Sequence, residues 1–219
     1  MRNIIYTILS TVLVFLACSE TAKTSKEKNK IKTDFTKQQY APDEYVKWVQ
    51  GEEYPLNKEK QIDELIFSVQ YKPHEYIICQ EERTNEIPDS ILKQKISEIE
   101  DMEYYDLKIE LENGTQELLK YGLTETGQYD DRVKYFAFSM QKDIQLVLDG
   151  KDSIPCGLYH FERAYDVVPF VKVMLGFPTT DKKISERTLV FHDKVFNKGI
   201  IKFQFTKEEL QNVPQLKTL

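Results

Sequence analysis

The side chains best suited to chemistry lie close together in the second half of this sequence, at Cys156, His160 and Glu162. A thiol, an imidazole and a carboxylate are the groups of a cysteine hydrolase. If this stretch is a β-strand, the three side chains share one face, and Cys156 lies roughly 13 Å from His160 along the strand. A nucleophile and its base must be within hydrogen-bond reach of each other. The spacing therefore favours a polar strand end over a nucleophilic site.

Metal and phosphate sites have recognisable residue spacings, and none of them is present here. None of the histidines, His74, His160 and His192, has a second histidine four residues away, as zinc sites often do. The sequence has no glycine-rich phosphate loop, no Gly-x-Ser-x-Gly elbow and no EF-hand spacing of acids. We therefore predict no metal site and no cofactor.

The charge balance excludes one class of partner. The chain carries 30 basic and 36 acidic residues, for a net charge of −6. Nucleic-acid binding requires clustered lysine and arginine to neutralise phosphates. We expect no nucleic-acid partner.

Residues 1–17 are typical of an export signal. Arg2 precedes an uncharged apolar run from Ile4 to Ala17. Such a run is too short to span a bilayer, which takes about 20 residues, and it fits a secretory signal peptide. The run ends in Phe15-Leu16-Ala17-Cys18-Ser19. These residues resemble the lipobox of bacterial lipoproteins, in which an apolar pair and a small residue precede a cysteine, although Phe15 stands where leucine is more common.

The lipobox resemblance implies cleavage before Cys18, a diacylglyceryl group on its sulfur and an acyl chain such as palmitate on the new amine. Buried acyl chains, at ~0.8 kcal/mol for each CH₂, would then hold the protein to the membrane. Because Ser19 is not acidic, the lipoprotein sorting rule implies the outer membrane. Only Glu20 follows as a nearby acid, which favours a periplasm-facing position over the cell surface. The alternative is an ordinary signal peptide with a chance cysteine.

Residues 18–39 are predicted to be the lipidated cysteine and a disordered tether. This segment is rich in lysine and poor in apolar residues, so it cannot bury enough surface to offset the entropy of ordering it. As a random coil it would reach roughly 25 Å. Its lysines either contact anionic lipid or form a solvated spacer, which is favoured. A single β-rich globular domain is predicted to span 40–219.

With Cys18 assigned to lipid, Cys79 and Cys156 remain. An even number of cysteines in an exported chain suggests a disulfide between them. Closing that loop would stabilise the domain by roughly 4 kcal/mol. The alternative is two reduced thiols, because Cys79 ends the apolar run Ile77-Ile78-Cys79 and can serve as a small buried apolar residue. Both interpretations stay open, and two reduced thiols are slightly favoured.

Short helices are indicated by their start signals. Pro42 opens one that should end before Gly51 and that contains Trp48, interpreted as a packing residue. Among the strands, Pro88-Asp89-Ser90 opens a helix and Thr206 opens a one-turn helix with the capping-box pattern. The apolar face of the helix after Pro88 is Leu92, Ile96 and Ile99.

Most of the remaining domain is predicted to be β-strand. Apolar and polar residues alternate at 67–71, 107–111, 144–148 and 201–205. Further candidates are 75–80, 133–140, 157–162, 170–176 and 188–192. Asn113-Gly114 predicts a hairpin joining 105–111 to 116–121, and Asp149-Gly150 predicts one joining 143–148 to 153–160.

These patterns predict a mainly β fold of about eight to ten strands with one or two short helices among them. It would be an antiparallel β-sandwich or a partly closed barrel.

Residues 132–178 resemble uncharacterised envelope lipoproteins of the Bacteroidota type, which implies no activity. We expect a membrane-anchored envelope lipoprotein that acts as a non-enzymatic binding or structural module for an envelope protein or polymer. The alternative is an envelope hydrolase with a site near His160 and Glu162. A cleft with convergent polar groups beside His160 would favour the enzyme, and an exposed aromatic surface would favour the binding module.

Overall fold

The computed structural model describes residues 33–114, 116–125, 127–163, 168–180 and 183–219. The predicted signal peptide, 1–17, and Cys18 lie outside the described residues. Eleven strands run through the described part: β1 (Gln39–Tyr40), β2 (Asn57–Ile62), β3 (Leu65–Lys72), β4 (Met102–Leu111), β5 (Ile144–Leu148), β6 (Asp152–Pro155), β7 (Leu158–Glu162), β8 (Val171–Pro178), β9 (Glu186–Asp193), β10 (Gly199–Thr206) and β11 (Gln215–Leu216).

Nine of these strands form two antiparallel sheets. The first sheet has the spatial order β2-β3-β4-β8-β7, and the second has the order β10-β9-β5-β6. Alternate residues of the first sheet are buried, as in the register pairs Phe67–Ile109 and Leu107–Val173. The Phe67 ring lies 6.4 Å from the Phe191 ring of the second sheet. The two apolar faces therefore pack on each other, and the predicted β-sandwich is confirmed.

The described residues contain more helix than the sequence predicted. The α-helices are α1 (Pro42–Gln50), α2 (His74–Glu82), α3 (Asp89–Ile99), α4 (Gln128–Lys134) and α5 (Lys207–Gln211). The predicted helices that begin at Pro42, Pro88 and Thr206 are confirmed as α1, α3 and α5. The Thr206 hydroxyl accepts a hydrogen bond from the Glu209 backbone N–H, as the capping-box pattern predicted.

Two predicted strands are wrong, because both segments are helical. Residues 75–80 lie in α2, where the buried side chains include Tyr76 and Cys79, three residues apart. Residues 133–140 run from α4 into a π-helix, Tyr135–Ser139, that buries Phe136. Both segments contain β-branched or aromatic residues that favour strands, but their buried positions follow helical spacing.

The two predicted hairpins have different outcomes. Asp149 and Gly150 adopt φ angles of 48° and 66° and connect β5 to β6, so the predicted turn is confirmed. The second strand ends at Pro155 rather than near 160, because Leu158–Glu162 forms β7 in the other sheet. After Gly114 the expected second strand, 116–121, is absent, and a 3-10 helix (Leu118–Lys120) takes its place. Strand β2 was missed because its sequence, NKEKQI, has charges where an alternating pattern would have apolar residues.

The compact unit begins at Asp34 and so includes 34–39, which the sequence assigned to the tether. Strand β1 pairs in parallel with β11, which joins the two ends of this unit. The Phe35 N–H donates to Asn212 Oδ1, and the Phe35 ring lies 5.2 Å from the Trp48 ring. Trp48 also contacts the rings of Tyr40, Tyr45 and Tyr54, which agrees with its interpretation as a packing residue.

One ion pair links the two sheets within the sandwich. Arg187 Nε on β9 lies 2.7 Å from both carboxylate oxygens of Glu103 on β4. The Tyr105 hydroxyl donates to the same carboxylate at 3.1 Å. Burial, followed by the charge of Glu103, raises the pKa of Tyr105 well above its ordinary value, so the phenol remains a donor. Because Glu103 is only 9% exposed, its charge depends on Arg187 for compensation.

We expect Arg187→Met to lower the free energy of unfolding by about 3 to 5 kcal/mol, because it leaves the Glu103 carboxylate buried without its counter-charge. Urea denaturation of the full chain measures the loss. The matched control is Lys202→Met on the exposed face of β10, which should change stability by no more than about 0.5 kcal/mol. Equal losses in the two variants would show that the inter-sheet pair is not needed.

Candidate functional site

His160 and Glu162 lie on β7, at one edge of the first sheet, with both side chains exposed. A row of alternating charges crosses the outer face of the sheet towards them. The Lys172 ammonium lies 3.6 Å from the Glu162 carboxylate and 3.1 Å from Asp106. Asp106 in turn lies 3.4 Å from the Lys72 ammonium. The row thus joins β3, β4, β8 and β7.

The charges in this row compensate one another in ion pairs, and none of them is set up as a catalytic acid or base. Asp106 is 5% exposed and lies between two lysines that compensate its charge. Burial alone would lower the pKa of Lys172, but the carboxylates of Asp106 and Glu162 outweigh burial and raise it. Lys172 therefore stays protonated and cannot act as a base or a nucleophile. In the register of the sheet, His160 pairs with Met174.

A cavity of about 290 Å³ opens beside β5 and β6, and it is not lined by His160 or Glu162. Cys156 borders this cavity, and its thiol donates to the Leu158 carbonyl at 2.9 Å. Burial raises the pKa of Cys156 to about 11, so the thiol is protonated at neutral pH. The structure therefore does not assemble Cys156, His160 and Glu162 into a nucleophilic site. The residues around the cavity are Gln141, Lys142, Ile144, Gln145, Ser153, Pro155 and Cys156.

Cys79 and Cys156 are both free and buried. Cys79 lies on α2 in a small apolar cluster with Ile78, Ile87 and Leu92, whereas Cys156 belongs to the main core. Burial, followed by the nearby charge of Glu75, raises the pKa of Cys79 to about 12. The placement of the two residues in different clusters favours two reduced thiols over the disulfide.

The most exposed large apolar side chain in the described residues is Phe138, at 78%. It stands on the π-helix, two residues after Phe136, which packs in a group of rings. Buried Phe136 lies 5.6 Å from the ring of Tyr135, 5.9 Å from Phe161 and 6.5 Å from Phe196. These five residues are here called the aromatic corner. It combines one protruding ring with three half-buried ones.

Polar contacts hold the half-buried rings of the aromatic corner in place. The Tyr159 hydroxyl on β7 donates to the Phe136 carbonyl, and the Tyr135 hydroxyl donates to the Asp143 carboxylate at 2.8 Å. The carboxylate of buried Asp193 accepts the backbone N–H of Phe196 at 3.0 Å, which fixes the loop that carries this ring. The corner is therefore a pre-ordered surface rather than a mobile loop tip.

Arg132 packs against the Phe196 ring of the aromatic corner. The Arg132 guanidinium lies 5.2 Å from the centre of the Phe196 ring and donates to the carbonyls of Leu119 and Tyr121. Cation–π contact and two hydrogen bonds thus fix α4 to the 3-10 helix before it. Sequence reasoning missed the corner because 133–140 was predicted as a strand. The four-residue spacing of Phe136 and Met140 was the available signal of a helix.

Two further observations concern the described part of the chain only. No three His, Cys, Asp or Glu side chains come together there as a metal-binding group. None of its helices is long and apolar enough to cross a membrane.

Comparison with known proteins gives only weak likenesses. No family model and no curated protein matches the sequence. One similar solved structure is a DUF4426 family protein from Pseudomonas aeruginosa, with 8% identity over 68% of this chain and 94% of that chain and a TM-score of 0.32. Another is a protein of unknown function from Burkholderia pseudomallei, with 7% identity over 71% of this chain and 80% of that chain and a TM-score of 0.33.

We expect two thiols to react in the denatured, unreduced Cys18→Ser chain, because Cys79 and Cys156 are both free. In the native protein both should react slowly at pH 7, since burial raises their pKa values to about 12 and about 11 and the thiolate is the reactive form. The rate should rise with pH up to that range. Thiol counting with a chromogenic disulfide reagent makes both measurements. No reactive thiol in the denatured chain would establish the disulfide instead.

Proposed function

We propose that this protein is an outer-membrane lipoprotein, anchored through lipid on Cys18, whose periplasm-facing body binds an envelope protein at the aromatic corner. The observation that carries the binding role is Phe138, a phenyl ring that is 78% exposed on an otherwise ordered helical segment. The lipobox-like sequence Leu16-Ala17-Cys18 supports the anchor. No step of chemistry is assigned to the body.

Exposure of Phe138 is unfavourable for the isolated protein and favourable for a complex. Burying its ring would contribute roughly 1.5 to 3 kcal/mol to binding. Single exposed apolar residues are common on protein surfaces. Phe138 differs from them because it protrudes from the same π-helix on which Phe136 packs against the rings of Tyr135, Phe161 and Phe196. Aromatic residues are enriched in the cores of protein interfaces. A π-helix at this position fits a functional role, because such distortions occur frequently at functional sites.

A protein partner fits the aromatic corner better than a polysaccharide does. The protruding group is a phenylalanine, which offers no hydrogen bonds, and the hydroxyl of Tyr135 is already bonded to Asp143. Polymers rich in hydroxyl groups need polar partners beside an aromatic platform, because a buried hydroxyl without a hydrogen bond is costly. A protein surface with an apolar pocket needs only the ring.

The hydrolase alternative receives no support from geometry. His160 and Glu162 stand on the exposed face of an edge strand, and the Glu162 carboxylate forms an ion pair with Lys172. The cavity bordered by Cys156 is not lined by His160 or Glu162, and the Cys156 thiol is protonated at neutral pH.

Replacing the anchor cysteine tests the location. We expect Cys18→Ser to remain unprocessed or to leave the membrane fraction, because a serine cannot accept the diacylglyceryl group. Immunoblotting of fractionated cells that express the full chain measures this. The matched control is Ser19→Ala, which keeps Cys18 and should stay in the outer-membrane fraction. A Cys18→Ser chain that matures and partitions like the parent would contradict the anchor.

Photo-crosslinking at the aromatic corner tests the binding role. We expect a photo-reactive phenylalanine analogue at position 138 of the full chain to form a discrete adduct with an envelope protein in cells. The same analogue at Ile200, which is 58% exposed on β10, is the control and should form none. In the purified complex, Phe138→Ala should weaken binding by about 30-fold, which corresponds to ~2 kcal/mol, with no loss of folding stability.

Adducts of equal yield at the two positions would show that the corner is not selective. A diffuse, high-mass adduct at position 138 that is removed by polysaccharide digestion would replace the protein partner with a polymer.

A further inference from the structure

The two sheets of the sandwich have four edge strands: β2 and β7 in the first sheet, and β10 and β6 in the second. An edge strand has unpaired backbone N–H and C=O groups, which can pair with a strand of another chain. Proteins that remain monomeric guard such edges with inward-pointing charges, proline or very short strands. The four edges of this protein are not guarded equally.

The seam between β2 and β10 is guarded by lysine. Lys58 and Lys60 of β2 stand opposite Val69 and Phe67, on the inward face of the sheet. Their ammonium groups lie 5.7 and 5.8 Å from the rings of Phe205 and Phe203 on β10, respectively. Another strand that approached this seam would have to desolvate these charges.

The β6 edge is guarded in a different way. This strand has four residues, Asp152–Pro155, and Pro155 cannot donate a backbone hydrogen bond.

Strand β7 has none of these devices. Its sequence, LYHFE, contains no lysine and no proline, and its single acid stands at the last position. Tyr and Phe favour strand geometry, and both point inward, where Tyr159 bonds the Phe136 carbonyl and Phe161 packs on the Phe136 ring. Within the described residues β7 pairs only with β8. It is therefore a strand held by β8 and by its inward side chains, with no second partner strand among the described residues.

We propose that β7 pairs antiparallel with β7 of a second copy of this chain, about a twofold axis at Phe161. A twofold interface must be self-complementary, and this register meets that condition. It places His160 opposite Glu162 of the partner subunit, and Glu162 opposite the partner subunit's His160. An imidazole N–H thus faces a carboxylate twice across the axis. Directly opposed complementary side chains stabilise a strand pair.

The neighbouring register pairs more backbone but has less complementary side chains. An axis at His160 would pair all five residues of β7, but it would place the two imidazoles opposite each other and would set Glu162 against Leu158 of the partner subunit. The Phe161 register also continues the charge row of the outer face, because Lys172 is followed by Glu162 and then by the partner's His160. The two five-stranded sheets would join into one continuous sheet across the axis.

In this register only residues 160–162 of β7 face β7 of the partner subunit. Such a short strand pair buries far less surface than the roughly 1,200 Å² of a stable complex, so this dimer would be weak in dilute solution. Confinement of both copies to one membrane raises their effective concentration. That part of the inference rests on the proposed anchor at Cys18, whereas the pairing itself does not.

Register-specific crosslinking of the full chain tests the pairing. Two tagged copies of different size are expressed together, one with His160→Cys and the other with Glu162→Cys, and membranes are treated with a mild oxidant. We expect a disulfide-linked heterodimer, because the introduced thiols face each other. Each variant alone should give no homodimer, because its thiol then faces the partner's native Glu162 or His160.

The matched control uses Glu59→Cys with Gln61→Cys, which have the same spacing on the exposed face of β2, the guarded edge of the same sheet. This pair should give no crosslink. Equal yields at β2 and β7 would show random collision and overturn the proposal, as would a homodimer from either single variant. A chain that is found in the membrane but forms no crosslink overturns the dimer and leaves the anchor intact. Repeating the test on the Cys18→Ser chain at high concentration separates a failure of the anchor from a failure of the pairing.

Charge reversal provides a second measurement. Glu162→Lys should weaken the dimer of the purified full chain about tenfold in sedimentation equilibrium, because each lysine then faces an imidazole. Adding His160→Glu to Glu162→Lys should restore the dimer, since the opposed groups are complementary again. A restored dimer supports the register, and a double variant as weak as the single one contradicts it.

Discussion

The apolar faces of the two sheets can leave water only by packing on each other, and this constraint organises the rest of the chain. Phe67 and Phe191 meet between the sheets, and the side chains around them fill the interior. The ion pair of Glu103 with Arg187 lies in this space and connects the sheets. Helix α1 and the π-helix add Tyr45, Val49 and Phe136 to the same core. Phe138, two residues after buried Phe136 on the π-helix, projects outward.

Alternation of apolar and polar residues was enough to predict the sandwich. In strands such as 107–111 and 144–148, apolar residues face the core and polar residues face the other side of the sheet, so the alternation is visible in the sequence. The same rule failed at 75–80 and 133–140, where short apolar runs do not distinguish a strand from a helix that packs on a sheet. Strand β2 was missed for the opposite reason, since its inward positions hold lysines that protect an edge. The site could not be predicted because its rings come from α4's continuation, β7 and the loop after β9, which only tertiary packing brings together.

The aromatic corner and the unpaired edge of β7 are both in contact with Phe136. Tyr159 and Phe161 of β7 contact Phe136 from one side, and Phe138 stands two residues further along the same π-helix. Pairing of β7 with another strand would therefore take place beside the π-helix that carries Phe138. Pairing of two copies would place two aromatic corners on one assembly, and a partner with two sites would then bind with an avidity that one copy lacks.

Attachment through Cys18 decides whether these surfaces act at a membrane. The most direct measurement is the mass of the N-terminal peptide of the mature protein, isolated from membranes of cells that express the full chain. We expect this peptide to begin at Cys18 and to carry glyceryl-linked acyl chains on its sulfur and an acyl chain on its amine. An unmodified Cys18, or a mature chain that begins at another residue, would contradict the lipid anchor and with it the proposed place of the protein in the envelope.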